Sequence, residues 1–119
     1  MQKKILVVED ENFQLAMYSK ILRAEGYLVF GAEDLTRARE IYKNNAPDVC
    51  IVDVRLPDGN GIQLCRKLKQ SIDTRHIPVI IMSAHAHAEE SSQEAFADDF
   101  IAKPFDLNVL LKLIEKHLA

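Results

Sequence analysis

The chain has 119 residues, 48% of them hydrophobic, which suits one domain with its own core and no need of a disulfide or structural metal. Its formal charge of −3 leaves no basic field to draw in nucleic acid or an anionic membrane surface. Any effect on a gene would therefore run through a partner or an attached segment.

The first apolar run, Ile5–Val8, is far too short for a signal peptide or a membrane span and reads as a strand. Leu15, Tyr18 and Leu22 then share one face of a first helix, which Gly26 closes. A second strand follows at Tyr27–Phe30, and Asp34 caps a second helix whose face holds Leu35, Ala38 and Tyr42. Pro47 separates this helix from a third strand, Val49–Val52, and Leu64 and Leu68 mark a third helix. The two cysteines, Cys50 in the third strand and Cys65 in the third helix, read as small buried hydrophobes, as suits a reducing cytosol. Val79–Met82 is a fourth strand. The stretch from Ser83 to Asp99 has mostly alanine as its apolar content, so a fourth helix there is expected to be short or irregular. Phe100–Ala102 is a fifth strand, and Leu107, Leu110, Leu111, Ile114 and Leu118 form the stripe of a last helix.

Five β–α units in this order imply a single α/β domain over residues 1–119, a parallel sheet with helices on both faces. Several of the runs are rich in Val and Ile without strict alternation, as strands buried on both sides require.

Ligands of such sheets bind at the carboxyl ends of the strands. Strand one ends in Glu9-Asp10, strand three in Asp53, strand four in Ser83-Ala84, and strand five in Lys103-Pro104. Strand two ends in Gly31-Ala32 and offers nothing reactive. Any one of these residues alone would pass for a solvated strand end; their joint placement at four of five strand ends does not. Carboxylates about 4 Å apart repel by about 4 kcal/mol at an effective dielectric near 20, so the cluster needs a counter-charge. Hard oxygen donors with room for water favour Mg²⁺. A carboxylate is also a competent nucleophile towards phosphorus, and a cation, an ammonium group and a hydroxyl can neutralise the three equatorial oxygens of a phosphoryl group.

Four segments, Val7-Val8-Glu9-Asp10-Glu11, Val52–Gly61, Pro78–Ala84 and Phe100–Phe105, together resemble the receiver family of two-component signalling, and the match spans essentially the whole chain. The resemblance implies a flavodoxin-like three-layer sandwich with strand order 2-1-3-4-5. It implies Asp53 as phosphoacceptor and Mg²⁺ ligand, Asp10 as a direct Mg²⁺ ligand, Glu9 acting through a metal-bound water, and Arg55 contributing its backbone carbonyl. Ser83 and Lys103 would hold the phosphoryl group. Phe100 would be an aromatic switch coupled to Ser83, although an aromatic on a central strand is more often simply core. The Lys103-Pro104 bond is expected cis. The implied partners are a sensor histidine kinase or histidine phosphotransfer protein, with a downstream effector or attached output domain that the sequence does not identify. Cytoplasmic location, no membrane, no direct nucleic-acid binding and a homodimer formed on phosphorylation complete the expectation. Such a domain is a switch and not an enzyme with metabolite turnover.

Some residues depart from the family pattern. The interval from Ser83 to Lys103 is shorter than usual, and Phe96 stands where the family usually has glycine after its fourth helix. Val109 and Leu113 lie away from the expected core stripe, either as ordinary surface apolar residues or as a small docking or dimer patch. Arg55 and His85 would flank the path of the hydrolytic water. His85 and His87 read as a solvent-facing pair without a third metal ligand, and His76 and His117 carry no visible site. An aspartyl phosphatase would want a second Asp two residues after Asp10, where Asn12 stands. A flavin or nucleotide carrier would want a Gly- or Ser/Thr-rich loop where Glu9-Asp10-Glu11 would repel phosphate. A receiver that signals by binding alone, without phosphorylation, remains the alternative.

Overall fold

A computed structural model describes residues 2–85 and 87–119. The chain runs β1 (Lys4–Val8), α1 (Asn12–Ala24), β2 (Leu28–Ala32), α2 (Leu35–Asn44), β3 (Val49–Asp53), β4 (Arg55–Leu56), β5 (Gly59–Asn60), α3 (Gly61–Gln70), β6 (Val79–Ser83), α4 (Ala88–Glu94), β7 (Asp99–Ala102) and α5 (Leu107–Leu118). Five strands form one parallel sheet in the order β2-β1-β3-β6-β7, the expected 2-1-3-4-5 once the small β4–β5 hairpin is set aside.

Side chains alternate across the strands and divide the core in two. Leu6, Val8, Cys50, Val52, Val79 and Ile81 face α2 and α3, where Leu35, Ala38, Ile41, Leu64, Cys65 and Leu68 meet them. Ile5, Val7, Val49, Ile51, Ile80 and Met82 face α1 and α5, meeting Tyr18, Leu22, Leu110 and Ile114. Each central strand is sealed on both faces, which explains its lack of polar alternation. The expected helix faces hold with small shifts: Ile41 takes the buried place on α2 and Tyr42 is half-buried. On α5, Val109 is 47% exposed while Leu113 is partly buried against the α1/α5 side of the core. The helix turns once per 3.6 residues, and four residues carry Leu113 partly round to the sheet.

Gly26, at φ +93, ends α1 in a Schellman turn: its N–H donates to Arg23 O and that of Tyr27 to Leu22 O. Asp34 caps α2 by accepting from Arg37 N–H, as expected. α4 is seven residues long, in line with the expectation of a short helix. It ends in the same kind of Schellman turn, with N–H bonds from Phe96 to Gln93 O and from Ala97 to Ser92 O. Here the left-handed position is held by Phe96 at φ +63, and its ring is 75% exposed. Within residues 84–98, Ala86 lies outside the described residues. Both cysteines are buried and free, and burial pushes their thiols up, Cys50 to about 12 and Cys65 to about 11. His117, which showed no site in the sequence, bonds Asp99 at 2.9 Å and ties the end of α5 to the start of β7. Among the described residues no helix is long and apolar enough to cross a membrane.

Candidate functional site

Parallel register brings the strand ends level. Val8 pairs with Val52, so Glu9 and Asp53 leave adjacent strands side by side. Ser83 pairs with Ala102, and Lys103 N–H donates to Ser83 O at 2.9 Å, which sets the lysine beside the ends of β3 and β6. The Lys103-Pro104 peptide is cis.

Lys103 Nζ sits 2.6 Å from Asp53 Oδ2 and 2.8 Å from Glu9 Oε1. It also donates to Gln14 Oε1 at 2.9 Å, while Gln14 Nε2 donates to Glu11 Oε2 at 2.7 Å. Three elements, β1, β3 and α1, thus converge on one ammonium group. Glu9 is almost wholly buried at 1% exposure, whereas Asp10 is exposed and Asp53 half-buried. Burial, then the neighbouring Asp53, pushes the Glu9 carboxyl up to about 7 against the opposing pull of Lys103. The two carboxylates raise the Lys103 pKa although desolvation acts the other way.

Glu9, Asp10 and Asp53 each offer an oxygen, and these atoms all lie within 4.8 Å of one another. A lysine shared by two of three clustered carboxylates leaves negative charge uncompensated, and the donors are all hard oxygens. That set fits a Mg²⁺ ion. Above it opens a cavity of ≈ 380 Å³ lined in part by Asp53, Arg55, Ala84, His85 and Lys103.

The chain just after Asp53 is built around a feature the sequence reading lacked. Arg55–Leu56 and Gly59–Asn60 pair antiparallel as a small hairpin. Asp58 at its turn accepts from Leu35 N–H at 2.8 Å, Thr36 N–H at 3.1 Å and the Thr36 hydroxyl at 3.0 Å, pinning the hairpin to the start of α2. The bonds from the two N–H groups and the hydroxyl hold the Asp58 carboxyl below its ordinary value. Asn60 caps α3 by accepting from Ile62 N–H at 2.6 Å. Gly61 N–H donates to Val54 O, and Arg55 N–H donates to Asp53 Oδ1 at 3.3 Å.

Glu9, Asp10, Asp53, Arg55 and Lys103, each singled out in the sequence, stand together. Ser83 is buried at the end of β6, and its hydroxyl accepts from His85 N–H at 3.0 Å. Phe100 lies on β7 opposite Ile81, half-buried against the α2/α3 side of the core. Gln14 was missed in the sequence. Its position on the first turn of α1, two turns ahead of Leu22 on the core side, was the available signal.

The family model of the response regulator receiver domain matches residues 5–115. The polar-differentiation response regulator DivK of Brucella anthropi is 27% identical over 120 residues, covering 99% of this chain and 98% of that protein. The signal receiver domain of a signal transduction histidine kinase from Syntrophus aciditrophicus is 35% identical with a TM-score of 0.91, over 98% of this chain and 89% of that one. A CheY-like response regulator receiver domain protein from Methanospirillum hungatei JF-1 is 28% identical with a TM-score of 0.92, over 99% and 94%.

Proposed function

The chain belongs to the response regulator receiver family, and on that premise we propose that it is a switch that accepts a phosphoryl group on Asp53 from a histidine kinase or histidine phosphotransfer protein. The observation that carries this reading is the placement of Lys103 Nζ, 2.6 Å from Asp53 Oδ2 and 2.8 Å from the buried Glu9. A carboxylate oxygen of Asp53 attacks phosphorus. The O–P bond forms as the donor's P–N bond breaks, and the leaving imidazole keeps the electron pair. Lys103 neutralises charge on a phosphoryl oxygen and Ser83 donates a hydrogen bond to another.

Mg²⁺ would be held by Asp10 and Asp53, by the backbone carbonyl of Arg55, and by Glu9 through water. Bound there, it supplies charge neutralisation for the carboxylates and the transferring group. The half-buried Phe100 follows Ser83 when Asp53 is modified, changing the face made by α4, β7 and α5. The domain turns over no metabolite, acts in the cytoplasm where its donors are, and passes its state to an effector, an output domain or a second copy.

Intact mass after incubation with Mg²⁺ and acetyl phosphate tests the reading, beside a metal-free sample and Asp53→Asn. One added phosphoryl group, present only in the unaltered protein with Mg²⁺, is expected. A folded protein that gains none is a receiver that signals by binding alone.

A further inference from the structure

Between α2 and α3, away from the Asp53 cavity, lies a groove of ≈ 380 Å³, within the range of small-ligand sites. Its floor is apolar, made by the buried Leu35 and Leu64. Its walls are cationic and amide-bearing: Arg39 from α2, and Gln63, Arg66, Lys67 and Gln70 from α3. The spacing explains the convergence, because Leu35 and Arg39 are one turn apart on α2, and Gln63, Lys67 and Gln70 recur on one face of α3. Among the described residues no carboxylate lines it.

Although the chain carries a net charge of −3, the described lining of this groove holds three cations and no acid. Among the described residues none of the three makes an ion pair within 4.0 Å. Of the acids near the groove, Glu40 pairs with Arg37 at 3.0 Å and Asp58 with the start of α2, while Glu94 borders a neighbouring hollow that Arg66 and Gln63 also line. The second observation is Arg39 Nε. It is buried and has no hydrogen-bond partner among the described residues. A buried donor on a charged group is costly to leave unpaired, so the hydrogen bonding of this guanidinium is incomplete in the protein alone. A guanidinium offers its donors as a planar fork that matches phosphate oxygens.

We propose that the α2–α3 groove is a binding site for a small molecule carrying a di- or polyphosphate group, its phosphates held by Arg39, Arg66 and Lys67. Gln63 and Gln70 offer donors and acceptors at the ends of the groove, and the leucine floor takes an apolar or planar part of the ligand. The Gln63 amide also borders Gly59, so the site abuts the hairpin that follows Asp53.

Calorimetric and NMR titrations with ADP and with pyrophosphate test this, in EDTA so that no metal at the Asp53 cavity can recruit phosphate. The expected result is saturable one-site binding that moves the Leu35 and Leu64 signals. ADP tighter than pyrophosphate would assign the floor to the base, and equal affinity would assign the site to phosphate alone; either supports the proposal. Arg39→Met, which keeps the stem and removes the donors, should weaken binding by roughly tenfold or more. Should that variant fail to fold, the exposed pair Arg66→Gln and Lys67→Gln carries the same expectation. Lys112→Gln on α5 should change nothing. Absence of saturation overturns the proposal, as does unchanged affinity in the groove variants. A glutamate-rich peptide that binds the same residues more tightly than ADP also overturns it, making the groove a protein-docking face instead.

Discussion

Gly61 is the position at which one added methyl group should separate the stability of this domain from its chemistry. A Cβ there would collide with the backbone carbonyl oxygen of Asp53, and would lie 2.7 Å from Val52 Cγ1 and 2.9 Å from the Asp53 carbonyl carbon. Non-bonded carbons rest at about 3.5–4.0 Å, so neighbours must move by about an ångström. The obstacle is backbone of β3, which has no rotamer to escape into. Gly31 supplies an internal comparison: a Cβ there would be 3.2 Å from Leu15 Cδ1, the end of a flexible side chain. Overpacking costs typically 1–3 kcal/mol, and the helix propensity gained by alanine at the start of α3 offsets less than about 1 kcal/mol. Gly61→Ala should therefore lose about 2 kcal/mol, moving the urea midpoint down by on the order of 1 M, and Gly31→Ala well under half of that. Displacing the Asp53 carbonyl also displaces its side chain from Lys103. Phosphorylation by acetyl phosphate, read by intact mass under conditions where both variants are folded, should slow in Gly61→Ala and not in Gly31→Ala. Equal midpoints and equal rates for the two variants would refute the reasoning.

Phe96→Gly should stabilise the protein by about 1 kcal/mol, since a left-handed φ of +63 is costly for a residue with a Cβ and free for glycine; a thermal melt no higher than that of the parent would count against it. Asp58→Asn should weaken the hold on the start of α2 and flatten the acid limb of stability. Its folded pKa lies below the ordinary 3.8, so the contribution is present above that value and lost as pH falls through the folded one; urea midpoints between about pH 5 and pH 3 report the slope. Glu9 titrates in the opposite sense. A carboxyl raised to about 7 from 4.5 holds its proton in the folded state after the unfolded chain has released it, so metal-free stability should fall as pH rises across that window. Lys103→Met, by removing the nearest cation, should steepen that fall and extend it to higher pH; a flat profile in EDTA would contradict the assignment.

Much of this protein was legible in the sequence because its strands are sealed on both sides. Apolar runs such as Ile5–Val8 and Val79–Met82 have no alternative use in a domain this small, and βα alternation then forces a parallel sheet whose reactive ends share one edge. The short α4 was legible for the complementary reason, an alanine-only apolar face with little to bury. Contacts among side chains far apart in the chain were not. Gln14 reaches Lys103 across 89 positions, and Asp58 clamps α2 from the tip of a hairpin only two residues wide on each side. Leu113 turned inward because the rotation of α5 about its axis is set by packing on the sheet, which periodicity leaves open within a residue or so. The basic groove follows the same rule: α2 and α3 each carry ordinary surface cations, and only their packing over Leu35 and Leu64 places the three together and buries Arg39 Nε without a partner among the described residues. Local pattern determined which segments are strands and helices, because burial is a property of each segment's own residues; which polar groups meet was decided by tertiary packing, because those distances belong to no single segment.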